Sequence, residues 1–90
     1  MTEPSHGQPE PLDALECQAR GHYAAGRYQA AIELFDELLT RLDVDLDPVH
    51  PRVLAIRNDL ARACQYAGRF ERALSLYRQI LNLLLVRSGP

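Results

Sequence analysis

The stretch Ala67-Gly68-Arg69-Phe70-Glu71-Arg72-Ala73-Leu74-Ser75-Leu76-Tyr77 restates, forty-two positions on, the pattern of Ala25-Gly26-Arg27-Tyr28-Gln29-Ala30-Ala31-Ile32-Glu33-Leu34-Phe35. Working outward, Ala19-Arg20 returns as Ala61-Arg62 and Leu38-Leu39 as Ile80-Leu81. The prolines keep the same step, Pro9 with Pro51 and Pro48 with Pro90. A unit repeated at this distance is a supersecondary brick that buries its apolar face against its neighbour. Such bricks build surfaces for recognition.

Each brick reads as two helices around a glycine. Leu12, Leu15, Ala19 and His22 or Tyr23 recur at three- and four-residue steps as far as Ala25. Gly26 then stands where a left-handed residue ends a helix. A second helix is expected from about Tyr28 to Leu42, carrying Ala31, Ile32, Leu34, Phe35, Leu38 and Leu39. Asp43 to Pro51 reads as a polar turn. A third helix runs from Pro51 with Leu54, Ile56, Leu60, Ala61, Cys64 and Ala67, ended by Gly68, and a fourth from Phe70 to about Val86. The fold class is all-α, four antiparallel helices joined by short turns. Met1 to Pro11 holds three prolines and reads as a flexible leader, and residues 88–90 as a stop signal and tail. Ala19, Ala61, Ala31 and Ala73 mark close helix approaches, with Tyr28, Phe70, Phe35 and Tyr77 expected to fill the space around them.

Ninety residues allow one small domain, and 47% hydrophobic content fits a folded one. Ten basic and twelve acidic residues, spread out, carry no clustered charge for a phosphate backbone, so no nucleic-acid partner is expected. The most apolar run, Leu83-Leu84-Leu85-Val86, is too short to span a bilayer. No secretory pattern opens the chain, and a cytoplasmic protein is the expectation. Cys17 and Cys64 are expected as buried or half-buried free thiols.

The residue pattern resembles the tetratricopeptide repeat family. The first unit supplies Leu15, Ala19, Gly26, Tyr28, Ala31, Phe35 and Leu38 to that motif, and the second Leu60, Ala61, Gly68, Phe70, Ala73, Tyr77 and Ile80. Gln18, Arg57, His22 and Cys64 depart from it, so the second helix of each unit is the stronger match. Asp47-Pro48-Val49-His50-Pro51, followed by Leu54, Asn58 and Leu60-Ala61, is similar to the long-period variant of kinesin light chains and of bacterial NB-ARC/SARP regulators. The resemblance implies an alpha-alpha superhelix of two helical hairpins, unit one over about 9–47 and unit two over about 48–87.

It also implies a concave recognition face lined by the first helix of each unit. On this chain that face carries Asp13, Glu16, Cys17, Arg20 and Tyr23, then Ala55, Asn58, Asp59, Arg62, Gln65 and Tyr66. The protein-binding set is Glu16, Arg20, Tyr23, Asn58, Asp59, Arg62, Gln65 and Tyr66, with a protein or peptide segment as partner. Asn58 can bond a bound backbone or a neighbouring helix. Arg20 and Arg62 can grip a carboxylate or pair with Glu16 and Asp59. Tyr23 and Tyr66 can anchor an interface or pack at a helix edge.

The fourth helix poses a separate problem. Its apolar residues exceed what one neighbouring helix can cover, and a large apolar surface is not normally left in water. Tyr77, Ile80, Leu81, Leu84 and Leu85 are therefore expected at an oligomer interface, giving a homodimer or other homo-oligomer. The same helix could instead dock on a larger protein or enzyme as a structural or regulatory subunit. No catalytic constellation is expected: His6, His22 and His50 are scattered, and Ser5, Ser75 and Ser88 lack a histidine-and-acid arrangement. Asp43, Asp45 and Asp47 lack the glycine and glutamate of a calcium loop and read as a solvated turn. No metal and no cofactor is expected.

Overall fold

The computed structural model of the protein describes residues 11–88. The expected leader up to Glu10, and Gly89 and Pro90 of the expected tail, lie outside the described residues. Four helices follow one another, α1 (Pro11–Ala24), α2 (Tyr28–Asp45), α3 (Pro51–Tyr66) and α4 (Phe70–Ser88). No strand occurs among the described residues. Each helix packs on the one that follows it, so α1–α2 and α3–α4 form two antiparallel hairpins joined by α2 against α3.

The two hairpin turns are chemically the same. Gly26 and Gly68 have φ of 81° and 83°, the left-handed region that a Cβ disfavours. In the first turn the Gly26 N–H donates to the Tyr23 carbonyl at 3.0 Å and the Arg27 N–H to His22 at 2.8 Å. In the second, Gly68 donates to Gln65 at 3.1 Å and Arg69 to Cys64 at 2.8 Å. This paired closure satisfies carbonyls that a helix end leaves without partners.

The connection between hairpins is shorter than the sequence pattern predicts. α2 runs on through Asp45, three residues past Leu42, so Asp43 and Asp45 belong to its last turn and the link narrows to Leu46–His50. Thr40, Asp43, Val44 and Asp45 are weak helix formers, but no glycine or proline stops the helix before Pro48. Asp47 remains in the link and its carboxylate accepts from the Val49 N–H at 2.9 Å. His50 is the N-cap of α3: its Nδ1 accepts from the Arg52 N–H at 3.0 Å, and Pro51 takes the first helical position.

The core lies between the hairpins. Ala19, Ala31 and Ala61 are fully buried and Ala73 nearly so, which lets the backbones approach as their spacing suggests. Phe35, Leu38, Ile56, Leu60 and Val53 fill the space around them. No polar or charged residue is buried among the described residues. α1 contributes Ala19 alone to the fully buried set, with Leu12, Leu15 and Tyr23 half-covered beside it.

Two expectations fail here. Cys17 is exposed, because it sits two residues from Ala19 and hence on the opposite side of α1; Cys64 is buried. Phe70 fills no gap: 68% of it is exposed, whereas its counterpart Tyr28 is half-buried. A Cβ on Gly68 would meet no atom within 4 Å, so replacing it isolates backbone strain. Gly68→Ala is expected to lower unfolding free energy by about 1–2 kcal/mol in chemical denaturation, with helical circular dichroism retained.

Candidate functional site

The face shared by α1 and α3 carries a row of alternating charges. Arg52 on α3 reaches Asp13 at 3.1 Å and Glu16 at 3.3 Å on α1. Arg20 on α1 pairs with Glu16 at 2.8 Å and with Asp59 on α3 at 2.7 Å. Three carboxylates thus hold two guanidinium groups across the two first helices. Partial burial works against the Arg20 charge, but the Glu16 hydrogen bond and the Asp59 and Glu16 charges outweigh it and raise its pKa.

Glu16, Arg20 and Asp59 are therefore brought together as the sequence places them, and they engage one another. Arg52 completes the row. It lies two helical turns before Asp59 on the same side of α3, a spacing that could have identified it.

Tyr23 and Tyr66 belong to an aromatic cluster at the end of this face. Tyr28 is its third member, centroid to centroid 5.6 Å from Tyr23 and 5.4 Å from Tyr66, and Tyr23 lies 6.0 Å from Tyr66. The Tyr28–Tyr66 pair is stacked and the other two are edge-on, geometries that favour aromatic pairs. Three helices meet there through one ring each. Arg62 is raised above the ordinary guanidinium value, first by the electrostatic pull of Tyr23; desolvation opposes this, and Tyr66 and Asp59 add to it.

Arg62 and Asn58 are exposed, and neither joins the row of ion pairs beside them. Gln65 turns the other way, accepting from the Tyr77 hydroxyl at 3.3 Å and tying α3 to α4.

The second helices are bridged separately. Arg72 on α4 forms a two-bond pair with the Asp36 carboxylate on α2, Nη1 donating at 2.9 Å. Arg69 Nε donates to Gln29 at 2.9 Å. The Asp36 hydrogen bond is the main cause holding the Arg72 pKa up. These groups line a cleft of about 480 Å³ between α2 and the start of α4. A smaller cleft of about 320 Å³ is lined by Pro48, Arg57, Gln79, Asn82 and Leu83. Arg57, whose side chain is only 16% exposed, contacts Asp43 at 3.5 Å and Gln79 at 3.5 Å, while its Nε is buried without a partner.

The fourth helix has a second apolar side. Phe70, Leu74, Leu81, Leu84 and Leu85 are exposed by 68%, 52%, 56%, 43% and 59%. Tyr77 and Ile80 are half-buried, so of the expected interface set Leu81, Leu84 and Leu85 are the open members. Phe70 and Leu74 extend the stripe by two turns. Their pairing with Tyr28 and Ile32 in the repeat conceals this, because Tyr28 is half-buried and Ile32 is buried.

Among the described residues, no group of three or more His, Cys, Asp or Glu side chains could hold a metal ion. No helix among them is long and apolar enough to cross a membrane.

The tetratricopeptide repeat family model matches residues 11–85, and the chain belongs to that family, whose units build non-catalytic scaffolds for protein–protein interaction. A Podosopora anserina protein described as a kinesin light chain with nearly identical TPR-like repeats is similar in crystal structure, with a TM-score of 0.75 and 29% identity. The likeness covers 92% of this chain and 39% of that one. A single-substitution variant of the same fungal protein gives a TM-score of 0.73 and 30% identity over 89% of this chain and 38% of its own. This chain thus spans about two fifths of each. No curated protein matches it.

Two outcomes check this geometry. Burial holds the Cys64 thiol above its ordinary pKa, partly offset by Arg72, while Cys17 is exposed. An aromatic disulfide reagent at neutral pH is expected to modify one thiol of the native protein quickly and the second only on unfolding, with Cys17→Ser removing the fast phase. Arg57→Met is expected to leave thermal stability unchanged or raise it by about 1 kcal/mol, since a covered guanidinium with an unmatched N–H gains little from its pairs.

Proposed function

We propose that this protein is a small non-enzymatic adaptor that binds protein, first of all another copy of itself, through the exposed side of α4. One observation carries the reading. Ile32, Phe35, Leu39 and Leu42 are buried and Tyr28 half-buried on α2, which packs on both α1 and α3. Forty-two positions on, the same places on α4 hold Phe70, Leu74, Tyr77, Leu81 and Leu84, of which Tyr77 is half-buried against the core and the other four are exposed. A side chain pattern that is core in one hairpin is surface in the other. Contiguous apolar surface of this kind marks interaction sites.

The face of α1 and α3 is the secondary surface in this reading. Its charged half is occupied by the Arg52–Glu16–Arg20–Asp59 row, so Asn58, Arg62 and the Tyr23–Tyr66 end are the groups left to meet a bound segment. The folded domain is taken as about 12–87, with unit one over about 9–47. Two free thiols suit a reducing compartment, and the cytoplasm is the proposed location.

A second reading uses the same helix to dock on a larger protein. Leu85 and Val86, 59% and 81% exposed near the end of α4, favour it by lengthening the apolar edge.

Light scattering over a concentration series is the test. The wild-type chain is expected to gain mass toward a dimer, and Leu81→Asp or Leu84→Asp to stay monomeric with unchanged helicity. Asn58→Ala and Arg62→Ala are expected to leave the mass unaffected. A wild-type chain that stays monomeric at all concentrations overturns self-association.

A further inference from the structure

Along α4 the exposed Phe70, Leu74, Leu81 and Leu84 and the half-buried Tyr77 are spaced four, three, four and three apart in the order Phe70, Leu74, Tyr77, Leu81 and Leu84. That alternation is the seam of a helix pair, in which side chains of one helix insert between those of another. One edge of the seam is taken: Ala73 and Leu76 are buried where α4 packs on α3, and Ile80 is half-covered. The other edge carries Glu71 and Arg78, both exposed, with Glu71 also at the rim of the cleft between α2 and the start of α4. Neither forms a salt bridge among the described residues. They stand seven positions apart, two turns, on the same side.

We infer that the occupant of this seam is a second copy of the chain, its α4 laid antiparallel across a two-fold axis so that Glu71 of each copy meets Arg78 of the other. The inference rests on the self-association proposed above and adds its register. With α3 covering one edge of α4 in each copy, only the free edges can face each other without collision. Antiparallel packing brings like edges together, whereas parallel packing would set the free edge of one copy against the covered edge of the other.

In the register that joins Glu71 to Arg78 of the second copy, Phe70 lies opposite Leu81 and Leu74 opposite Tyr77. The axis falls near Ser75 and Leu76. These layers set a large side chain against another, Leu84 lies beyond them at the rim, and the charges complement at both ends. The core of the complex becomes four helices, α3 and α4 of each copy.

Unit one departs from unit two at the same places. Glu71 and Arg78 stand where Gln29 and Asp36 stand on α2, the two groups that receive Arg69 of the turn before α4 and Arg72 of α4. On α2 both groups accept hydrogen bonds from arginine, so that edge suits a basic neighbour. On α4 one is acidic and one basic. A neighbour with the same charge order, read backwards, fits this edge.

The test is a charge exchange followed by sedimentation equilibrium on the full chain. Glu71→Arg and Arg78→Glu are each expected to weaken dimerisation about tenfold, since two rim pairs turn repulsive in each symmetric dimer. An equimolar mixture of the two variants is expected to recover wild-type affinity, because both contacts are then of opposite sign. The double variant E71R/R78E is expected to recover it as well. Helical circular dichroism and the thermal midpoint of each variant show that the chain still folds.

If the single variants dimerise as the wild type does, or the mixture fails to recover, while Leu81→Asp still gives monomers, the register is wrong and self-association through α4 stands. If the wild-type chain is monomeric throughout, both fall.

Discussion

The second helix of a repeat unit here has to be covered on two sides. α2 does this with one sequence: it packs on α1 and on α3, and Ala31, Ile32, Phe35, Leu38, Leu39 and Leu42 are all buried. Both sides are apolar, and neither could be left in water over this length without cost. α4 inherits the same two-sided design from the repeat. Its first side closes on α3 and its second is open. The stacking of the hairpins and the character of the exposed surface therefore have one origin.

Polar contacts act at the margins of that stacking. On one side of the hairpin interface Arg52 and Arg20 tie α1 to α3; on the other, Arg72 ties α4 to α2 and Arg69 ties the turn before α4 to α2. Each pair is partly exposed and screened, so it contributes little to stability alone. Their arrangement matters more. Contacts on both margins oppose rotation of one hairpin over the other, which the apolar core, lined by small alanines, restrains less. The closed charge row also changes the character of the α1–α3 face, leaving an amide, one arginine and a tyrosine cluster.

Much of the fold is legible because its determinants are local. Gly26 and Gly68 are needed where a chain turns through positive φ, and alanines at fixed offsets mark where backbones meet. Helix ends are less so: Asp43, Val44 and Asp45 are weak helix formers yet do not end the helix, and packing and the approach of Pro48 decide where α2 stops. The site is legible in membership but not in state. Glu16 and Arg20 pair within α1 by helical spacing, yet whether Asp59 and Arg52 join them depends on how α3 of the other unit packs beside α1. Phe70 misleads for a related reason. The repeat equates it with Tyr28, and burial at that position comes from the next helix along, which the residue itself does not encode.

The placement of Ala19 as the one fully buried residue of α1 has a consequence for how the molecule opens. A helix held by one small buried residue, half-covered flanks and rim charges has little to lose on detaching. Its amides should exchange with solvent at a lower opening free energy than those of α3, which buries Val53, Ile56, Leu60, Ala61, Ala63 and Cys64. Unfolding would then begin by peeling from the amino-terminal end. The Tyr23 ring would leave Tyr28 and Tyr66 as it did so, which makes the aromatic cluster an intrinsic optical reporter of that first step.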